Sequence, residues 1–183
     1  MNILLIYPKY PDTFWSFKHV LRFISRKAAF PPLGLATVAS LVPKSWKKRL
    51  VDMNVCELTD EDLQWADMVF VSAMLVQKDS TREIIDRAKS AGKTVVAGGP
   101  AFTAKPDLAS GVDHLILNEA EVTLPPFIED LEAGNPKRIY SSDKKPDMSL
   151  TAVPSWELID MKSYATMAVQ YSRGCPFNCE FCD

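Results

Sequence analysis

Hydrophobic positions along this chain come in short continuous runs that alternate with segments of helical spacing. Asn2–Tyr7, Arg49–Met53, Met68–Ser72, Thr94–Ala97 and His114–Leu117 are brief and mostly aliphatic, with Pro8 closing the first and Gly98-Gly99-Pro100 the fourth. Runs this short and this apolar predict strands buried on both faces. Between them Leu33–Val42, Asp60–Trp65, Ser80–Ala91, residues 103–110 and Thr123–Glu132 read as helices. The first of these begins after Pro31-Pro32 and ends before Pro43. The third stops at Gly92 and the last near Gly134, the punctuation expected of helix ends.

Five such strands alternating with helices predict an α/β domain with a doubly wound, mainly parallel sheet of Rossmann-like or flavodoxin-like order. Ligands in such sheets bind beyond the carboxyl ends of the strands. Here those ends are Tyr7-Pro8, Ser72–Val76, Gly98-Gly99-Pro100 and Asn118–Glu121, and a pocket is expected there. Residues 1–140 make up this domain. Periodicity fades from about Asn135, and 141–164 predicts a linker, with Lys, Asp, Pro and Ser dominating Ser141–Ser149. Residues 165–183 start a further unit, in which Ala165–Tyr171 predicts a strand running into Ser172-Arg173-Gly174-Cys175. A strand with no sheet to join, and an end one residue after the last cysteine, suggest a polypeptide cut from a longer one.

Composition changes this picture only slightly. At 183 residues and 47% hydrophobic content the chain can build one ordinary core plus a connector. No apolar run reaches membrane-spanning length, and the opening Met1–Tyr7 is too short for a secretory leader, so a soluble, cytoplasmic protein is expected. The net charge of −2 conceals an asymmetry: residues 1–50 hold nine Lys or Arg against Asp12 alone, and the rest hold twelve bases against twenty-two acids. A solvated basic face is the simpler account, and no nucleic-acid partner is expected. Within the basic half, Phe14, Phe17, Leu21 and Ile24 recur at helical spacing, with Lys18, Arg22 and Arg26 on another face. Such a helix suits peripheral membrane contact, or it can cover a cofactor or a neighbouring domain; the second reading is preferred.

The candidate chemistry lies at the C-terminus. Cys175, Cys179 and Cys182 are spaced C-x₃-C-x₂-C, whereas Cys56 stands alone and reads as an ordinary small residue. Three thiolates from one tight loop can ligate three irons of a [4Fe–4S] cluster and leave the fourth open to an exogenous ligand. A zinc site ordinarily wants a fourth Cys or His nearby, and none is present.

The stretch Ser172-Arg173-Gly174-Cys175-Pro176-Phe177-Asn178-Cys179-Glu180-Phe181-Cys182 closely resembles the cluster loop of the radical S-adenosylmethionine (SAM) superfamily. Phe30-Pro31-Pro32-Leu33-Gly34-Leu35, Gly98-Gly99-Pro100 and Asn118-Glu119-Ala120-Glu121-Val122-Thr123-Leu124-Pro125 resemble the cobalamin (B12)-binding domain that precedes the barrel in one large subgroup. The resemblance implies cobalamin, a [4Fe–4S] cluster on Cys175, Cys179 and Cys182, and SAM with Phe181 near its adenine. Reductive cleavage of SAM to a 5′-deoxyadenosyl radical would follow. The subgroup pattern is usually Gly-Glu-x-Glu, so Asn118 departs from it.

Candidate cobalamin contacts are Tyr7, Pro8, Ser72, Met74, Leu75, Gly98, Gly99, Pro100, Glu119 and Glu121. The glycine pair allows close approach of a bulky ligand or, equally, a tight turn. The two glutamates could accept hydrogen bonds from corrin amides or simply start the next helix. Neither His19 nor His114 sits in the Asp-x-His-x-x-Gly context that supplies a cobalt ligand in methionine synthase. No His coordination is expected, and the lower face would meet Ala73–Gln77 instead. The implied function is the cobalamin-binding part of a B12-dependent radical SAM methyltransferase acting on an unactivated carbon, with no turnover from this stretch alone. Its partners would be a small or lipid-like substrate, the rest of its own barrel and an electron donor for the cluster. A cyclase of the magnesium-protoporphyrin monomethyl ester type, a stand-alone corrinoid module and a flavodoxin-like nucleotide-binding module remain as alternatives.

Overall fold

The computed structural model describes residues 1–13, 16, 18–173 and 177. Among them six strands form one parallel sheet: β1 (Asn2–Tyr7), β2 (Lys47–Asp52), β3 (Met68–Ser72), β4 (Thr94–Gly98), β5 (His114–Ile116) and β6 (Ile139–Tyr140). Their order, β2-β1-β3-β4-β5-β6, is flavodoxin-like. The doubly wound sheet is as expected, with a sixth strand where five were predicted. At two residues β6 is too short to leave a periodic signal. It is held by Tyr140, whose ring meets Phe127 edge-on at 5.5 Å and whose hydroxyl donates to Asp130 Oδ2 at 2.8 Å.

The helices are α1 (Lys18–Phe23), α2 (Leu33–Leu41), α3 (Asp60–Trp65), α4 (Lys78–Ser90), α5 (Pro100–Ala104) and α6 (Ala120–Glu132). Side chains of α2 and α6 join one core, around Leu5, Phe70, Val96 and Ile116; those of α3, α4 and α5 join the other, around Leu4, Val69, Val71 and Val95. Alternate strand residues thus feed opposite layers, which is why the β1 run shows no polar alternation: Ile3, Leu4, Leu5 and Ile6 are all fully buried, whereas the edge strand β2, expected to be buried on both faces, leaves Lys47 and Arg49 exposed. Helix α3 starts on Thr59, whose hydroxyl accepts from the Asp62 backbone N–H while the Asp62 carboxylate accepts from that of Thr59, each at 3.2 Å, a capping box. Helix α6 begins three residues before the predicted Thr123 and carries Pro125 and Pro126 inside it, prolines that obscured its first turn in the sequence.

The strand expected at Ala165–Tyr171 does not form. Tyr164 makes an isolated bridge to Ala28, and the N–H groups of Ala165 and Thr166 donate to the carbonyls of Ala28 and Ala29 at 3.0 and 3.1 Å. Beyond that no ladder partner is found among the described residues, and Met167, Val169 and Tyr171 are exposed. Within the expected basic amphipathic segment the described residues include α1, with Leu21 buried and Val20, Phe23 and Ile24 exposed; Phe14 and Phe17 lie outside the described residues.

After β6 the chain crosses back to the opposite side of the sheet. The N–H of Ser155 donates to the Ala36 carbonyl at 3.0 Å, and Ile159 and Tyr164 are buried with Ala28 and Ala36. The Tyr164 hydroxyl donates to Oδ2 of buried Asp52 at 2.9 Å, while Asp52 Oδ1 accepts from the Asn54 N–H at 2.9 Å and from its Nδ2 at 2.7 Å. Burial pushes the Asp52 carboxyl above the usual range, although the bonds from Asn54 and Tyr164 pull it down. An acid raised by folding contributes stability below its unfolded value of about 3.9, and that contribution is lost as pH rises through the folded value. Asp52→Asn is therefore expected to flatten the stability profile from about pH 4 upward, through the raised folded-state value of Asp52. At pH 7 it should change stability by no more than about 1 kcal/mol, whereas Asp52→Ala, which orphans its partners, should cost about 1–3 kcal/mol. Urea denaturation at several pH values checks this; an Asn variant with the wild-type slope would refute it.

Candidate functional site

A cavity of about 350 Å³ opens beyond the carboxyl ends of β3, β4 and β5, between α2 and α6. Its apolar wall comes from Phe70, Val96, Ile116 and Leu124, and α2 contributes Gly34, Leu35, Thr37 and Val38. Gly34 lines the cavity, and a Cβ built on it would meet nothing within 4 Å. The volume lies within the range of about 300–1,000 Å³ usual for small-molecule sites.

The mouth is polar. Asn118, Glu119 and Glu121 stand on one side, and Gln170 and Arg173, from the segment leading into the cysteines, on the other. Arg173 grips both carboxylates. Its NH1 donates to Glu119 Oε2 at 2.7 Å and Glu121 Oε2 at 3.0 Å, and its NH2 to Glu121 Oε1 at 2.6 Å. Gln170 Oε1 accepts from Arg173 Nε at 3.1 Å. Burial raises the Glu121 carboxyl, but the hydrogen bonds and charge of Arg173 outweigh that and hold it below the usual carboxylate range.

Of the predicted contacts, Ser72, Gly98, Gly99, Pro100, Glu119 and Glu121 line this cavity. The glycines are required by the protein's own backbone. A Cβ on Gly98 would lie 2.6 Å from the Ile116 carbonyl oxygen, and one on Gly99, at φ +92°, would lie 2.9 Å from that of Ala73. Asn118 takes φ +66°, a left-handed conformation that glycine adopts freely and asparagine tolerates better than most residues. Its Nδ2 donates to the Ser142 carbonyl at 3.0 Å. The departure from glycine thus keeps the backbone shape and adds a tether. Glu119 and Glu121 also flank the start of α6, where negative charge is favourable.

Tyr7, Pro8, Met74 and Leu75 are not in that cavity. They sit at the ends of β1 and β3, tied together by buried Gln77, whose Nε2 donates to the Pro8 carbonyl at 2.5 Å and whose Oε1 accepts from the Met74 N–H at 2.8 Å. The Tyr7 and Tyr10 hydroxyls bond at 2.6 Å, and Met74, Leu75 and Val76 form an exposed apolar turn. His114 stands at the amino end of β5, its Nδ1 bonded to the Lys137 carbonyl at 2.7 Å. Cys175, Cys179, Cys182 and Phe181 lie outside the described residues, among which no group of His, Cys, Asp and Glu is placed to hold a metal ion. Among the described residues no helix is long and apolar enough to cross a membrane.

The predicted contacts left out the α2 wall and Arg173, although Gly34, Leu35 and Arg173 stand in the stretches that carry the resemblance. Gly34 did carry a signal, since a helical glycine costs roughly 0.5–1 kcal/mol relative to alanine and so asks for a reason. Arg173 carried none beyond its place in the cysteine motif, because its partners are 52 and 54 residues away.

The chain is 48% identical over its whole length to a protein of Synechocystis sp. described as an uncharacterized methyltransferase, covering 34% of that protein. It is 37% identical, again over all of this chain and over 36% of the relative, to the hopanoid C-2 methylase of Rhodopseudomonas palustris. Bacteriochlorophyllide d C-8(2)-methyltransferase of Chlorobaculum tepidum is 27% identical over 82% of this chain and 35% of its own length. The chain therefore spans about a third of the length of these curated relatives. The B12 binding domain family matches residues 20–128, more than half of the sequence, in the region that builds the cavity. The chain belongs to the B12-binding domain family.

Proposed function

We propose that this chain is the cobalamin-binding portion of a B12-dependent radical SAM enzyme, and that the complete protein is a methyltransferase acting on an unactivated carbon. The observation that carries the reading is the cavity beyond β3, β4 and β5, with an apolar interior, a polar mouth and a wall that includes Gly34. Those surfaces fit a corrinoid, which combines an apolar heterocyclic arm with a rim of amides. Gly34, Val96, Gly98 and Leu124 would enclose the arm, and Ser72, Asn118 and Glu119 would face the polar rim. The exposed turn Met74–Val76, held by Gln77, would offer an apolar surface to the lower face.

The groups when bound supply a methyl donor on cobalt and, from SAM and a [4Fe–4S] cluster on Cys175, Cys179 and Cys182, a 5′-deoxyadenosyl radical. The protein supplies binding, orientation and exclusion of water. The methyltransferase names of the relatives support the reaction class, and hopanoid and bacteriochlorophyllide products favour a bulky, lipid-like substrate. Clustered thiols suit a reducing, cytoplasmic setting.

Hydroxocobalamin added to the intact protein should co-elute on gel filtration with the corrinoid visible spectrum. A folded protein that elutes without corrinoid would end the proposal. Anaerobic reconstitution with iron and sulfide should give cluster absorption that is lost in Cys175→Ala.

A further inference from the structure

Glu119 and Glu121 stand two residues apart at the start of α6, and their carboxylates converge on Arg173, with Lys145 a looser second partner of Glu119 at 3.9 Å. Two anions so placed would repel each other and face open water. Instead Arg173 bridges them, with 19% of its side chain exposed against 21% for Glu119 and 11% for Glu121. Its contact with Glu121 is bidentate, the geometry that fixes direction as well as distance. Gln170 holds the remaining Nε. All four side chains border the cavity, and Arg173 precedes Cys175 by two residues.

We propose that Arg173 is a positioning residue, a latch that docks the described segment 165–173 on Glu119 and Glu121 at the mouth of the corrinoid cavity. The inference rests on the reading of that cavity as the cobalamin site. Latched, the segment bearing Gln170 and Arg173 retards departure of the cofactor from the cavity these residues border. The two carboxylates serve as the latch's receptor, and their principal partner is the protein's own arginine.

The test uses the intact protein, loaded with hydroxocobalamin and mixed with excess scavenging apo-protein of another B12 binder, with release followed in the visible spectrum. Arg173→Gln should release cobalamin about tenfold faster or more, as expected when one partner of a buried ion pair is removed. Arg173→Glu should be at least as fast, and the charge-swapped pair Arg173→Glu with Glu121→Arg should recover much of the loss, a rescue that a general folding defect would not produce. Hydrogen exchange supplies a second readout: cobalamin should slow exchange of the 168–175 segment in the wild type and not in Arg173→Gln. Equal release rates and equal protection in wild type and Arg173→Gln would overturn the latch while leaving the cobalamin site standing. A wild type that binds no cobalamin would overturn both, so the two failures are distinguishable.

Discussion

Gly34→Phe is expected to abolish retention of cobalamin while leaving the protein folded. Gly34 lines the 350 Å³ cavity, and a Cβ there would meet nothing within 4 Å, so a ring at this position has room to reach the space the ligand needs. A ring there competes with the ligand for the same volume, and a loss of affinity of about a hundredfold or more corresponds to only about 3 kcal/mol. The fold should tolerate the change, since a helical glycine is already about 0.5–1 kcal/mol worse than alanine. Gel filtration with hydroxocobalamin, alongside a thermal melt, checks both halves. Wild-type corrinoid retention in a folded Gly34→Phe protein would place the cofactor elsewhere.

The largest effect on stability is expected from Phe127→Ala. Phe127 is fully buried on α6 and touches the rings of Phe70, His114 and Tyr140, at centroid distances of 6.4, 5.3 and 5.5 Å. It thereby joins β3, β5 and β6 to one helix. Truncation should cost about 3–5 kcal/mol, a large share of the 5–15 kcal/mol typical of a domain. Urea denaturation would read it as a large fall in midpoint with little change in slope. A loss under about 1 kcal/mol would mean that the layer collapses around the gap.

Much of the sheet was legible because burial on both faces leaves a local signature. Ile3–Ile6 and Val69–Val71 are apolar without alternation, and Pro8 and Gly98 close two of the five runs. What escaped detection has non-local causes. Ile139-Tyr140 is held as a strand by the contacts of Tyr140 with Phe127 and Asp130, and Ala165–Tyr171 finds no sheet to join among the described residues. The cavity mouth divides in the same way. Gly98, Gly99, Glu119 and Glu121 could be placed from strand ends, and Asn118 from its departure. The Arg173 contact depends on residues far apart in the sequence, and nothing in a local window reports it.

The hydroxyl that covers Asp52 belongs to a residue 112 positions further along. Ribosomes add about 5–20 residues per second, so during synthesis Asp52 waits on the order of ten seconds before Tyr164 exists. Throughout that interval β2 can pair with β1 only with its terminal carboxylate still hydrated. The sheet is therefore assembled around a charge that water must hold until the segment bearing Tyr164 arrives, and the low-pH stability that burial of Asp52 confers enters only with that segment.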